Sequence, residues 1–204
     1  MAKIRLTKTE LKKKKDELKM FQRYLPTLQL KKQQLQLEVR SVQTRLAQLE
    51  AACATLEKEY EPWVAVFSEQ QKARTSNGAP LLKISAIKTD TGNIAGVSIP
   101  VFQGVEFEKS QYDLFITPPW VDRALNLLER LLSARMELEV VTKQRDLLAH
   151  ELRITTQRVN LFEKVKIPET IAIIRKIRIY LGDQQTAQVV RGKIAKRKVE
   201  GEER

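Results

Sequence analysis

Few residues in this chain could do chemistry, and their spacing does not assemble them. The one histidine, His150, could carry a proton near neutral pH, but it adjoins Leu148 and Glu151 with no nucleophile or second base spaced to join it. It reads as a solvated or packed helical side chain. The one cysteine, Cys53, falls at a position that suits a small core residue better than a reactive thiolate, which needs exposure and nearby positive charge. Glu57, Glu59 and Glu61 offer the oxygen ligands that hard cations prefer, yet no Asp or His converges on them, and a solvated face accounts for them. Neither a GxxxxGK[ST] phosphate loop, a GxGxxG turn nor an HExxH helix occurs. No catalytic, cofactor-binding or metal-binding residue is therefore expected, and the chain is read as a non-enzyme. The run Lys12-Lys13-Lys14-Lys15 could attract phosphate backbones through counterion release. Apart from Phe21 and Tyr24 it lacks the stacking aromatics of nucleic-acid modules. An acidic protein surface fits it better.

Composition says what kind of element must position these residues. Among 204 residues there are 7 Gly, 7 Pro and 6% aromatics, while charged residues reach 30%. That is the usage of long helices, not of sandwiches or doubly wound sheets. At 42% hydrophobic the chain is too apolar for a disordered tail, and no window approaches the ~20 apolar residues that span a bilayer. The Lys- and Thr-rich sequence after Met1 contains no secretory apolar stretch, and a lone cysteine suits a reducing compartment, so a cytoplasmic location is expected. The net charge of +12 is unevenly placed. Residues 1–20 hold eight Lys/Arg against three acids and residues 175–204 nine against four, so most of the excess lies at the two ends.

Two apolar stripes organise the rest. With Leu11 at heptad position a, the a positions read Leu11, Leu18, Leu25, Lys32, Val39, Leu46, Cys53, Tyr60 and Phe67, and the d positions read Lys14, Phe21, Leu28, Leu35, Val42, Leu49, Leu56, Trp63 and Gln70. Fifteen of these eighteen are apolar, over more heptads than the three or four that identify a coiled coil. Pro26 predicts a bend near residues 22–26 without loss of register. The second stripe starts after Thr117-Pro118-Pro119. It reads Trp120, Leu127, Ala134, Val141, Leu148, Thr155 and Phe162, interleaved with Ala124, Leu131, Leu138, Arg145, Leu152, Val159 and Lys166. Its phase is expected to break at Pro168, with Ile167, Ile171, Ile174 and Leu181 on a shifted face, and Gly182-Asp183 is the expected end.

The fold class predicted is mainly α, a long antiparallel two-helix coiled coil with a small central β-hairpin insertion. Residues 1–73 form the N-terminal helix, 74–119 the hairpin region, 120–182 the C-terminal helix and 183–204 a basic tail. Each stripe spans about 95 Å of helix at ~1.5 Å per residue. Leu81 to Thr89 and Ile94 to Phe102 read as the strands, joined by a turn at Asp90-Thr91-Gly92-Asn93. The hairpin is expected to pack near Trp63, Phe67 and Trp120. If Trp63 faces Trp120, facing residues have numbers adding to about 183, which pairs Lys32 with Glu151, Arg145 with Glu38 and Lys166 with Glu17.

Two blocks also carry a resemblance. Leu6-Thr7-Lys8-Thr9-Glu10-Leu11 with its Lys-rich continuation, and Arg158-Val159-Asn160-Leu161-Phe162 leading to Ile167-Pro168, resemble the D subunit of V-type (V/A-type) rotary ATPases along the whole chain. The resemblance implies a central-stalk rotor shaft that transmits torque between ATP hydrolysis or synthesis in a catalytic A/B-type hexamer and ion translocation in a membrane ring. It implies as partners that hexamer, the small F subunit of the stalk and a socket subunit above the ring, with the chain peripheral to the membrane through the complex. On that reading Lys12, Lys13, Lys14, Lys15, Arg175, Lys176 and Arg178 would meet the catalytic head, and Tyr60, Trp63, Phe67, Tyr112, Phe115 and Trp120 the stalk partners. The Gln-rich, Gly192-interrupted segment from Gln184 to Lys198 departs from a continuous terminal helix. A structural coiled-coil scaffold or tether is the competing reading, and a basic helical-hairpin nucleic-acid binder the third.

Overall fold

A computed structural model describes residues 5–69, 81–110 and 120–202, with side chains outside the description at 63–69 and 200–202. Helix α1 spans Lys8–Glu69, strands β1 and β2 span Leu82–Ile94 and Val97–Lys109, and helix α2 spans Trp120–Asn160. A π-helical turn over Leu161–Lys166 leads directly into α3, Ile167–Glu202. The architecture is mainly α with one two-stranded antiparallel hairpin, as the stripes predict. By contacts the chain divides into a unit of residues 1–32 with 154–204 and a unit of residues 33–153.

The heptad frame on α1 holds among the described side chains, with Trp63, Phe67 and Gln70 outside them. From Leu11 to Tyr60 every a and d position is buried or half-buried, while most of the intervening residues are exposed. The helix also continues through Pro26 and Pro62, and at Pro26 one missing donor does not outweigh a seam on both sides of it. In the 33–153 unit, Leu35, Val39, Val42 and Leu46 form one core cluster with Val141 and Leu148, and Leu35 and Leu148 are both 0% exposed. Each such side chain contributes about 1.5–3 kcal/mol by leaving water. Arg45 meets Glu137 at 2.9 Å, a pair whose numbers add to 182. In the other unit the rings of Phe21 and Phe162 lie 5.3 Å apart, and their numbers add to 183. The helices are antiparallel in the predicted register over these stretches.

One ion pair departs from this register: Glu57 is met by Arg135 at 2.7 Å, and those numbers add to 192 although Arg135 lies two residues from Glu137. Long side chains reach along the seam in both directions there. Two of the expected ion pairs are also replaced. Glu17 binds Lys14 at 2.7 Å instead of Lys166, and Arg145 turns to Asp146 at 2.7 Å instead of Glu38. Both are neighbours on the same helix, which cost less side-chain ordering than partners across the seam.

The hairpin differs from expectation in its turn and its seat. Asp90 to Asn93 lie inside β1, and the turn is Ala95-Gly96, with φ of 51° and 79°. A two-residue loop matched to the strand twist needs positive φ at both positions, and the Asn93 side chain fixes it by accepting the Gly96 N–H at 3.0 Å. Ser85 on β1 and Gln103 on β2 are extra residues at the two register shifts, forming bulges that add local twist. The tip does not pack around Trp120. Ile94, Ala95, Val97 and the buried Ile99 lie against the Leu35–Leu49 and Leu138–Leu152 stretches. Buried Gln144 donates to the Pro100 carbonyl, and Lys109 pairs with Glu129 at 2.8 Å nearer the strand ends.

The shifted face of the C-terminal helix comes from the π turn, not from Pro168 alone. A regular stripe continued from Thr155, Val159 and Phe162 would bury positions 169, 173, 176 and 180. The residues turned inward are instead Thr170, Ile174, Ile177 and Leu181, each one later, while Ile171 is exposed. A π turn closes i→i+5 and so holds one extra residue, and Ile167 N–H accordingly bonds to the Phe162 carbonyl. Gly182-Asp183 does not end the helix, which runs on to Glu202.

Replacing Gln144 by Leu keeps the bulk but leaves the Pro100 carbonyl without its donor. The expected cost is about 1–3 kcal/mol, read as faster amide exchange in β1 and β2 with unchanged exchange in α1 residues 35–49.

Candidate interaction surfaces

The basic residues of the first stripe are displayed by a well-formed helix start. Thr7 and Glu10 have the T-x-x-E spacing of a capping box, and Thr7 Oγ1 accepts the Glu10 N–H at 3.3 Å while its carbonyl accepts the Leu11 N–H at 3.0 Å. Lys12, Lys13 and Lys15 are exposed on the following turns. Lys14 differs, since it occupies a seam position and is half-buried. Its ammonium donates to Glu17 Oε2 at 2.7 Å, and this hydrogen bond raises its pKa against the opposing effect of desolvation, with Glu10 and Glu169 adding smaller attractions. Lys14 is thus a structural cation more than a surface one.

On α3 the basic residues are exposed because of the residues between them. Ile174 and Ile177 take the seam, which leaves Arg175, Lys176 and Arg178 facing solvent. In the register set by Phe21 and Phe162, positions 175–178 come level with residues 5–8, about a turn beyond Lys12. The structure therefore brings both basic clusters to one end of the 1–32/154–204 unit, in sequence along it.

Sequence reasoning missed the continuation of α3. Residues 182–199 are exposed on every face, so this stretch is helical although none of it is buried. It presents Arg191, Lys193, Arg197 and Lys198 together with exposed Val189, Val190, Ile194 and Val199. Gly182 and Gly192 were the misleading signal. Each costs only about 1 kcal/mol in a helix interior, and the Gln, Ala, Lys and Arg around them favour helix. The Gln184 side chain donates to the Tyr180 hydroxyl at 3.0 Å and Thr186 Oγ1 to the Gly182 carbonyl at 3.1 Å, supporting the first turn after the glycine.

In the 33–153 unit, Tyr60 lines an open groove of about 600 Å³ with Ala54, Glu57, Leu128, Leu131 and Arg135. Burial raises the phenol pKa of Tyr60. Trp120 is half-buried at the first residue of α2. The side chains of Trp63 and Phe67, and residues Tyr112 and Phe115, lie outside the described residues. Cys53 is buried and its thiol pKa is raised, mainly by desolvation and then by Glu57, which disfavours the thiolate. His150 is exposed, and no group of His, Cys, Asp and Glu that could hold a metal ion occurs among the described residues. Nor is any described helix long and apolar enough to cross a membrane.

The Lys14–Glu17 pair has a testable pH signature. A lysine whose folded pKa is raised contributes stability that is present below its unfolded pKa and is lost as pH rises through the folded value. Glu17→Gln is expected to cost about 0.5–1 kcal/mol at neutral pH. Thermal melts across alkaline pH should show the difference from wild type shrinking as Lys14 deprotonates.

The chain matches the family model for the D subunit of ATP synthase over residues 10–197. It is similar to the V-type ATP synthase D subunit of Borreliella burgdorferi, with 48% identity over 196 residues, covering 96% of this chain and 95% of that protein. It is also similar to the V-type ATP synthase D subunit of Chlamydia pneumoniae, with 39% identity over 118 residues, or 58% of this chain and 56% of that protein. A match that runs from the first turn of α1 to the exposed end of α3 takes in the seam, the hairpin and the π turn together, and the chain belongs to the ATP synthase D-subunit family.

Proposed function

We propose that this chain is the central-stalk rotor shaft of a V-type rotary ATPase, a non-catalytic component that transmits torque between a catalytic hexamer and an ion-translocating membrane ring. The observation that carries the reading is the seam: within each unit, two helical stretches of one chain run antiparallel with heptad positions turned inward. Twisting such a pair about its axis works against many side-chain contacts at once, which is what torque transmission requires. The relatives, named as D subunits of V-type ATP synthases, support the same assignment.

A pair of helices has no three-fold symmetry, so each orientation presents different surfaces to the three catalytic sites around it. Coupling then follows from unequal interaction energies between one rotor face and the alternative site conformations. The exposed Lys12, Lys13, Lys15, Arg175, Lys176 and Arg178 and the basic end of α3 form the head-facing surface. Charge acting over several ångströms attracts an acidic collar without interlocking with it, so rotation is not blocked. Tyr60 and Trp120, with the groove beside Tyr60, belong to the surface for the small F subunit of the stalk and the socket subunit. The chain is cytoplasmic and peripheral to the membrane through the complex.

Replacing the six exposed Lys and Arg residues of the head-facing surface by Gln is expected to weaken binding to the purified catalytic hexamer roughly tenfold or more at low salt, at up to ~1 kcal/mol per exposed charge. The wild-type difference should narrow as salt screens the charges. Titrations at several ionic strengths check this, with thermal melts confirming an intact fold. A variant that binds with wild-type affinity and salt dependence contradicts the head-facing assignment.

A further inference from the structure

We propose that the π turn is a compliant joint in the helix pair, centred on the Phe21–Phe162 contact, where twist is absorbed by exchanging backbone hydrogen bonds. The starting observation is that the seam does not need the extra residue. Removing one residue from Leu161–Lys166 would carry Thr170, Ile174, Ile177 and Leu181 onto the uninterrupted heptad of Thr155, Val159 and Phe162, with the same side chains facing α1. An ordinary helix one residue shorter would bury the same surface with better-aligned bonds. What the turn contributes is its own geometry.

That geometry is under-bonded on both helices at one level. Pro168 has no N–H and the Ile167 N–H is given to Phe162, so the Glu163 carbonyl has neither an i+4 nor an i+5 donor. Pro26 removes the i+4 donor of the Gln22 carbonyl in α1. Both deprived carbonyls belong to residues within two positions of the ring pair. Packing does little to lock the turn, because no residue from Leu161 to Lys166 is buried. The tilted rings, 39° apart, bridge the seam at the turn, while Thr155 and Val159 before it and Thr170, Ile174 and Ile177 after it are buried. Amide groups here can trade i−5 for i−4 acceptors one at a time, so the turn yields to small twists while the surplus residue keeps Thr170, Ile174 and Ile177 on the seam. In a shaft, and on the rotor reading above, such a joint stores twist between power strokes.

Hydrogen exchange on the isolated full chain tests the joint without assuming that role. Amides of residues 164–169, Pro168 excepted, should exchange at least about tenfold faster than those of Leu148–Val159. Deleting Glu163 together with Pro168→Ala should remove most of that difference at unchanged helical circular dichroism, and Pro168→Ala alone, which keeps the length, should remove part of it. Wild-type exchange as slow in the turn as in its flanks overturns the joint, as does a difference that neither variant reduces. In the reconstituted complex, angular fluctuations of a bead on the stalled shaft should narrow in the deletion variant. Unchanged fluctuations overturn the elastic role, and a chain that does not assemble with the hexamer marks failure of the rotor reading instead.

Discussion

Apolar side chains recur along α1 and α2 at alternating steps of three and four, and helices so marked cannot remain apart in water. Burying the stripes against each other fixes the rest of the chain. Leu35 and Leu148 at 0% exposure, with Val141 and Val42, form the driest stretch of the seam, and it is this stretch that the hairpin tip covers through Ile99. A two-stranded hairpin is at best marginally stable alone. It persists here because the seam supplies the apolar floor that it lacks, and because Gln144 answers a strand carbonyl that burial would otherwise leave unbonded.

The same constraint explains which irregularities are tolerated. Pro26 and Pro62 sit in α1 at exposed positions, so the seam passes them by. The π turn is accepted because it returns Ile174 and Ile177 to the inward face after one surplus residue. Lys14, a charge at a seam position, is retained with Glu17 at 2.7 Å as its neutraliser. Beyond Leu181 the constraint lapses, and α3 continues with every face exposed. This end of α3 keeps apolar residues such as Ile194 and Val199 exposed, the stretch that the proposed function assigns to the head-facing surface.

Much of this was legible in the residues. Heptad spacing alone gives the seam positions of α1 from Leu11 to Tyr60, and the 183 register follows from pairing two tryptophans. The turn was misplaced because Asp90-Thr91-Gly92-Asn93 has turn-forming residue types, whereas the strand twist selects Ala95-Gly96, with Ala95 accepting a left-handed conformation that its sequence does not advertise. The extra residue at the π turn was visible only as a phase change beyond Phe162, and no side-chain pattern says whether a proline or an insertion causes it. The basic clusters could be found from composition. Their arrangement along one end of a unit could not, since it depends on which α3 face the π turn presents. Lys14 is different: it sits in a run of four lysines, but its heptad position already marks it as inward.

Membership of the ATP synthase D-subunit family places this chain among the stalk subunits of such complexes, and the shaft role proposed above is a claim about motion. The most direct measurement is rotation itself. With the catalytic hexamer fixed to a surface and a probe attached to an exposed hairpin residue such as Lys83, the account predicts unidirectional turning of the probe when ATP is added, ceasing when ATP is removed. A probe that stays at one angle while the same complexes hydrolyse ATP would contradict it.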